Sequence, residues 1–124
     1  MNVVDSSAWI EYLSDGPNAE AFKDPIEEGE TLIVPSIALF EVYRHVLRHV
    51  GQDEALTVVA AMRSGSSVVL DDGLALEAAE LSIETRLPLA DSVILATARS
   101  LGAELWTQDS DFEGMPGVRY IPKP

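Results

Sequence analysis

Four carboxylates occupy places in this 124-residue chain where an acid has chemical consequences. Asp5 follows the short apolar run Val3-Val4, and Glu41 lies in a helical segment opened by Pro35-Ser36. Asp91 sits in the turn Leu89-Ala90-Asp91-Ser92, and Asp109 in the run Thr107-Gln108-Asp109-Ser110-Asp111-Phe112. Each has an ordinary explanation taken singly. Asp5 reads as a turn or helix cap, and Glu41 as a partner for Arg44 or His45 on its own helix face. Asp91 suits the positive end of a helix dipole, and Asp109 suits the cap of a short turn at Asp111-Phe112. Brought together, they would need more than that. Two carboxylates ~4 Å apart repel by about 4 kcal/mol at an effective dielectric near 20, so gathering four of them calls for cations. Oxygen donors select hard ions, Mg2+ or Mn2+, and with no cysteine in the chain there is neither a thiolate site nor a cysteine nucleophile.

The elements that must position these acids are read from apolar spacing and breakers. Val3-Val4 is a short buried strand delivering Asp5 at its carboxyl end; Ser6 or Ser7 then caps a helix through Leu13, which Asp15-Gly16-Pro17 breaks. Asn18 to Glu28 reads as a second helical piece interrupted at Pro25. A second strand, Leu32-Ile33-Val34, leads into a long helix from Ile37 to about Val50, with Ile37, Phe40, Tyr43, Leu47 and Val50 at helical spacing. Asp53 to Met62 is a further amphipathic helix. Val68-Val69-Leu70 reads as a third strand running into Asp71-Asp72, with Asp72 capping a helix from Leu74 to Thr85. Pro88 opens an almost wholly apolar, hence buried, helix that carries Asp91 in its first turn and is closed by Gly102. Glu104-Leu105-Trp106 and Val118 to Ile121 supply the last two strands.

Short strands alternating with helices predict an α/β fold of three layers, α/β/α, with a mostly parallel central sheet of about five short strands, and a single domain over residues 1–124. In such sheets ligands gather at the carboxyl ends of strands, near a switch in strand order. Asp5 and Asp109 fall at that edge, and the topology carries Glu41 and Asp91 toward it.

The charge balance is strongly acidic: 21 acids against 8 bases give a net charge of −13, which works against non-specific nucleic-acid binding. Cations bound by some of the acids, or a high-salt cytoplasm, would reconcile that balance with a polyanionic ligand. No apolar run approaches the ~20 residues that span a bilayer. Nor does a basic segment precede an apolar one at the N-terminus, so a cytoplasmic protein without a membrane partner is expected.

The order of the four acids, their spacings, the chain length and the T-x-D-x-D-F run at Thr107 to Phe112 resemble the PIN domain, and within it the VapC toxins of VapBC toxin–antitoxin pairs, over essentially the whole chain. That resemblance implies a metal-dependent endoribonuclease, with Asp5, Glu41, Asp91 and Asp109 as the catalytic, metal-binding acids and Mg2+ or Mn2+ as the cofactor. Ser6 or Ser7 and Thr107 would give supporting hydrogen bonds. Asp111 is the alternative to Asp109, which is preferred as the acid nearer the strand end. The implied partners are an RNA substrate, a cognate antitoxin reaching across or beside the cleft, and a second copy of the chain in a homodimer. Phosphodiester hydrolysis suits such a site, because it needs a water of lowered pKa and positive charge on the scissile phosphate.

Other features weigh less. Arg44 and Arg48, one turn apart after Glu41, are placed to hold substrate phosphate, although solvated surface charge is the simpler role for either. His45 and His49 stand four apart but lack the glutamate of a zinc-protease helix. Trp9 and Trp106 read as core or dimer contacts. Among other functions, a phosphoacceptor signalling domain would need an acidic pair after the first strand and a late lysine. A haloacid-dehalogenase-like phosphatase would need an acid at position 7, where Ser7 stands. A PIN-fold RNA-processing nuclease without an antitoxin and a non-catalytic binding module are the remaining alternatives.

Overall fold

Side-chain alternation along the inner strands sets the architecture of the chain, described over Met1–Pro124 by a computed structural model. Strand β1 (Asn2–Val4) sends Val4 to one face of the sheet and Val3 to the other. Strand β2 (Leu32–Pro35) does likewise, with Leu32 and Val34 opposite Ile33. Successive residues of a strand point to opposite faces, so each strand feeds two separate cores, and both faces must be covered by helices. Helices α1 (Ser6–Leu13), α2 (Ala19–Glu27), α3 (Ser36–His49) and α4 (Gln52–Met62) close the first core through Trp9, Phe22, Val42 and Met62. On the other face, α6 (Leu89–Ser100) packs Ile94, Leu95 and Ala98 onto the sheet, and α5 (Asp72–Thr85) lies on α6 through Leu74 and Ala78.

Strands β3 (Ser66–Val68), β4 (Glu104–Thr107) and β5 (Val118–Tyr120) complete a five-stranded sheet in the order β3-β2-β1-β4-β5, with every pairing parallel. The chain moves outward from β1 to β2 and β3, then crosses back to place β4 on the other side of β1. The strand order therefore reverses between β1 and β4, and their carboxyl ends open the crevice in which doubly wound sheets bind ligands.

The three-layer α/β/α expectation agrees with this architecture, and the sheet is wholly parallel. Several local readings are corrected. The third strand is Ser66–Val68, not Val68 to Leu70: Val68 pairs with Pro35, the last residue of β2, so Val69 and Leu70 have no ladder to join and are exposed. Pro25 does not interrupt α2. It lies in the last turn, buried with Phe22 and Ile26, whose packing holds the turn despite the missing N–H. Helix α1 is capped by Asp5 itself rather than by Ser6 or Ser7, and α5 by Asp71 rather than Asp72. Gly102 does close α6. At φ 63° it adopts the left-handed conformation of a Schellman motif, its N–H bonding Arg99 O while Ala103 N–H bonds Ala98 O. Trp106 is held within its own chain, donating Nε1–H to Asn2 at 2.9 Å beneath the Arg119 guanidinium.

Candidate metal centre

Asp5 leaves β1 in extended conformation, and its N–H bonds Trp106 O, the last link between β1 and β4 before the strands part. Its side chain turns back over the start of α1. Oδ1 accepts the Ala8 N–H at 3.0 Å and the Ser7 hydroxyl at 2.8 Å, while Oδ2 accepts the Thr107 hydroxyl at 2.6 Å. Only 2% of Asp5 is exposed. Thr107 is equally buried at the end of β4, and its oxygen accepts the Asp109 N–H at 2.9 Å. One hydroxyl thus joins the acid after β1 to the backbone carrying the acid after β4.

Asp109 opens a 3-10 turn, Ser110–Phe112, and its Oδ1 accepts the Asp111 N–H at 2.9 Å. Phe112, fully buried in the second core, pins the turn to the body of the protein. Asp91 rises from the first turn of α6, where Pro88 supplies no side-chain cap and no hydrogen bond holds the carboxylate. Carboxylate oxygens of Asp91, Asp109 and Asp111 lie within 4.8 Å of one another. Glu41 reaches the cleft from the second turn of α3 and accepts the Ser6 hydroxyl at 2.6 Å.

Electrostatics tie these groups into one site. Burial, then the charges of Asp109, Asp5, Glu41 and Asp111, push the Asp91 carboxyl up to about 7. Burial pushes Asp5 up to about 6, even though Thr107, the Ala8 N–H and Ser7 all favour its ionised form; Asp109 adds to the rise. No base compensates the cluster, since the single ion pair of the chain joins Arg119 to Glu104. The pairing of Glu41 with Arg44 or His45 is not formed.

The structure therefore draws Asp5, Glu41, Asp91 and Asp109 to one crevice but ranks them differently. The tight group is Asp91, Asp109 and Asp111, so Asp111 stands beside Asp109 instead of replacing it. Asp5 sits behind them with hydrogen bonds on both oxygens. Ser6 and Ser7, interchangeable in the sequence, serve different acids: Ser6 holds Glu41 and Ser7 holds Asp5. Two contributions went unread. One is Phe112 as anchor of the acidic turn, signalled only by its apolar character. The other is Asn18, which donates to Gln108 Oε1 at 3.1 Å and has no local signal. As a donor set, three converging carboxylates without a neighbouring cation fit a hard divalent ion.

Comparison with known proteins bears on the same geometry. A toxin–antitoxin complex from Klebsiella pneumoniae contains a chain 25% identical to this one, with a TM-score of 0.80 over 98% of this chain and 100% of that chain. The Mycobacterium tuberculosis VapC20 structure, described as a sarcin-ricin loop cleaving toxin, shares the fold at 18% identity and a TM-score of 0.76, covering 94% of this chain and 95% of the other. A DNA-bound VapBC structure from Salmonella typhimurium matches at 18% identity and a TM-score of 0.73, over 98% and 96% of the two chains. No curated protein sequence matches significantly. The family model of the PIN domain matches residues 3–118, from β1 to the start of β5 and so across every acid of the crevice; the chain belongs to the PIN domain family.

Proposed function

We propose that this protein is a metal-dependent endoribonuclease acting as the toxin of a type II toxin–antitoxin pair. The observation that carries the reading is the uncompensated convergence of Asp91, Asp109 and Asp111 at the strand-order switch, with Asp5 and Glu41 within electrostatic reach. The similarity to a chain of a toxin–antitoxin complex, and to a structure described as a cleaving toxin, supports both the toxin role and an antitoxin partner.

In this mechanism Asp91, Asp109 and Asp111 would hold Mg2+ or Mn2+, with Asp5 and Glu41 adding negative charge around them. When bound, the ion supplies a water of lowered pKa and positive charge opposite the scissile phosphate. The chain does the rest. Thr107, Ser7 and the Ala8 N–H fix the rotamer of Asp5 and favour its ionised form, and Ser6 does the orienting for Glu41. Asp91, whose carboxyl burial and its acidic neighbours push up to about 7, would hold the ion in its ionised form. The buried run Ser92 to Ala98 anchors the first turn of α6, and Phe112 pins the turn at Ser110–Phe112, so both hold their acids on rigid supports and little ordering is left for substrate binding to accomplish.

Incubation with single-stranded RNA tests this directly. Cleavage is expected with Mn2+ or Mg2+ and is lost with EDTA, and undiminished cleavage in chelated buffer would overturn the mechanism. Expression without an antitoxin is expected to arrest growth of the host, while normal growth with verified active protein would favour an RNA-processing nuclease. The homodimer follows from the same resemblance, and exposed Leu76, Ile83 and Leu89 on α5 and α6 offer it an apolar surface.

A further inference from the structure

Of the 8 bases in this chain only Arg119 pairs with an acid, and among the rest Arg44 and Arg48 alone stand together on one helix. Both are exposed, one turn apart on α3, on the same helix as Glu41. Beside them on the helix, His45 and His49 stack ring on ring, 4.3 Å apart and inclined by 30°, and His49 Nδ1 meets the His45 carbonyl at 2.9 Å. Burial and the neighbouring His49 hold His45 below the ordinary imidazole range, so this ring presents a neutral aromatic face at pH 7. One turn before Arg44, Phe40 is 60% exposed.

These side chains line one groove of about 260 Å3, and its other walls include Ser6 and Glu41. Glu41 belongs to the acidic crevice, so the groove opens from the candidate site and follows α3 for about two turns, some ~12 Å. Alternating cations and aromatic rings are the two elements of a sequence-tolerant platform for single strands: guanidiniums track phosphates while rings stack on bases. An acidic peptide would also be drawn to the arginines, but it would have no use for the rings and would meet the carboxylates at the mouth.

Building on the nuclease reading, we propose that the Phe40–His49 stripe of α3 is the substrate-strand track. In it Arg44 and Arg48 bind consecutive RNA phosphates on one side of the scissile one, and Phe40 with the His45–His49 stack supports the neighbouring bases. On a chain this acidic, the stripe supplies the local attraction that overall charge denies, and it directs the strand past Glu41 into the crevice.

The test is steady-state cleavage of a single-stranded RNA in Mn2+ across a range of KCl concentrations, comparing wild type with Arg44→Gln/Arg48→Gln. The double variant is expected to raise KM about tenfold with kcat within about threefold, and to flatten the salt dependence of log KM by about 1.4, the slope of two single-strand phosphate contacts. Arg44→Lys/Arg48→Lys is expected to restore most of the salt slope, and Phe40→Ala to raise KM without altering it. Arg63→Gln, just past the end of α4, serves as the charge control and leaves all parameters unchanged. Wild-type cleavage combined with unchanged KM and slope in the double variant overturns the track alone. So does a double variant that loses only its binding to a polyglutamate peptide, which would assign the stripe to a protein partner. Absence of RNA cleavage by wild-type protein in Mn2+ overturns the nuclease reading itself.

Discussion

Asp91 is the acid least accounted for by folding. It caps nothing, accepts no hydrogen bond, and is held at about 7 by burial and four neighbouring carboxylates. Replacing it with the near-isosteric amide removes the repulsion and keeps the shape. Asp91→Asn is therefore expected to melt at the same temperature as the metal-free wild type or higher at pH 8, to lose the Mn2+-induced rise in melting temperature, and to lose RNA cleavage. Thermal melts with and without Mn2+, beside a cleavage assay, check all three. Among the acids, position was legible in the sequence wherever a strand end delivered the residue, as for Asp5 and Asp109. The division of labour was not. Whether Asp109 or Asp111 faces Asp91 depends on a 3-10 turn of three residues, too short to leave a periodic signal, and both do.

At the scale of elements, the turn at Ser110–Phe112 shows how a core residue governs a polar site. Phe112 contributes no polar atom to the crevice, yet its burial fixes the backbone that bears Asp109 and Asp111. Phe112→Ala is expected to cost about 3–5 kcal/mol of stability and, in protein still folded at low temperature, to weaken Mn2+ binding at least tenfold. Chemical denaturation and metal titration separate the two effects. Helix α6 was readable because seven consecutive buried residues, Ser92 to Ala98, leave it no solvent face. Strand β3 was not, because an edge strand with exposed serines satisfies its ladder without the apolar run that usually marks a strand. The caps were misplaced by one or two residues for a common reason: at both α1 and α5 the first of several eligible polar residues takes the role, and pattern alone does not decide among them.

For the whole molecule, charge gathered at one edge makes stability depend on solution conditions. The folded-state pKa values of Asp5 and Asp91, about 6 and about 7, lie above their ordinary value of 3.8, so the folded protein binds more protons than the unfolded chain between those limits. Metal-free stability is therefore expected to fall as pH rises from about 4 to about 7, the reverse of a salt-bridged carboxylate, and Mn2+ is expected to recover it at pH 7.5. Urea denaturation at pH 5 and pH 7.5, with and without Mn2+, tests the sign; greater metal-free stability at pH 7.5 would contradict it. The parallel sheet and its two helical layers were evident from alternation of strands and helices. The place where strand order reverses was not, since it depends on which side of β1 the chain returns to after α6.

The hydrogen bonds that make Asp5 the cap of α1 also shape how such a protein loses its activity under selection. A host rescued from a poisonous copy by change at Asp91 would carry an intact, abundant, inert protein, still able to engage whatever normally restrains it. Rescue by Asp5→Ala would strip a helix of its first anchor and leave the buried Thr107 hydroxyl only Ser7, 3.5 Å away, so the inert product would be scarce and short-lived. Inactivated descendants that keep a folded body should therefore retain Asp5 long after Asp91 has drifted.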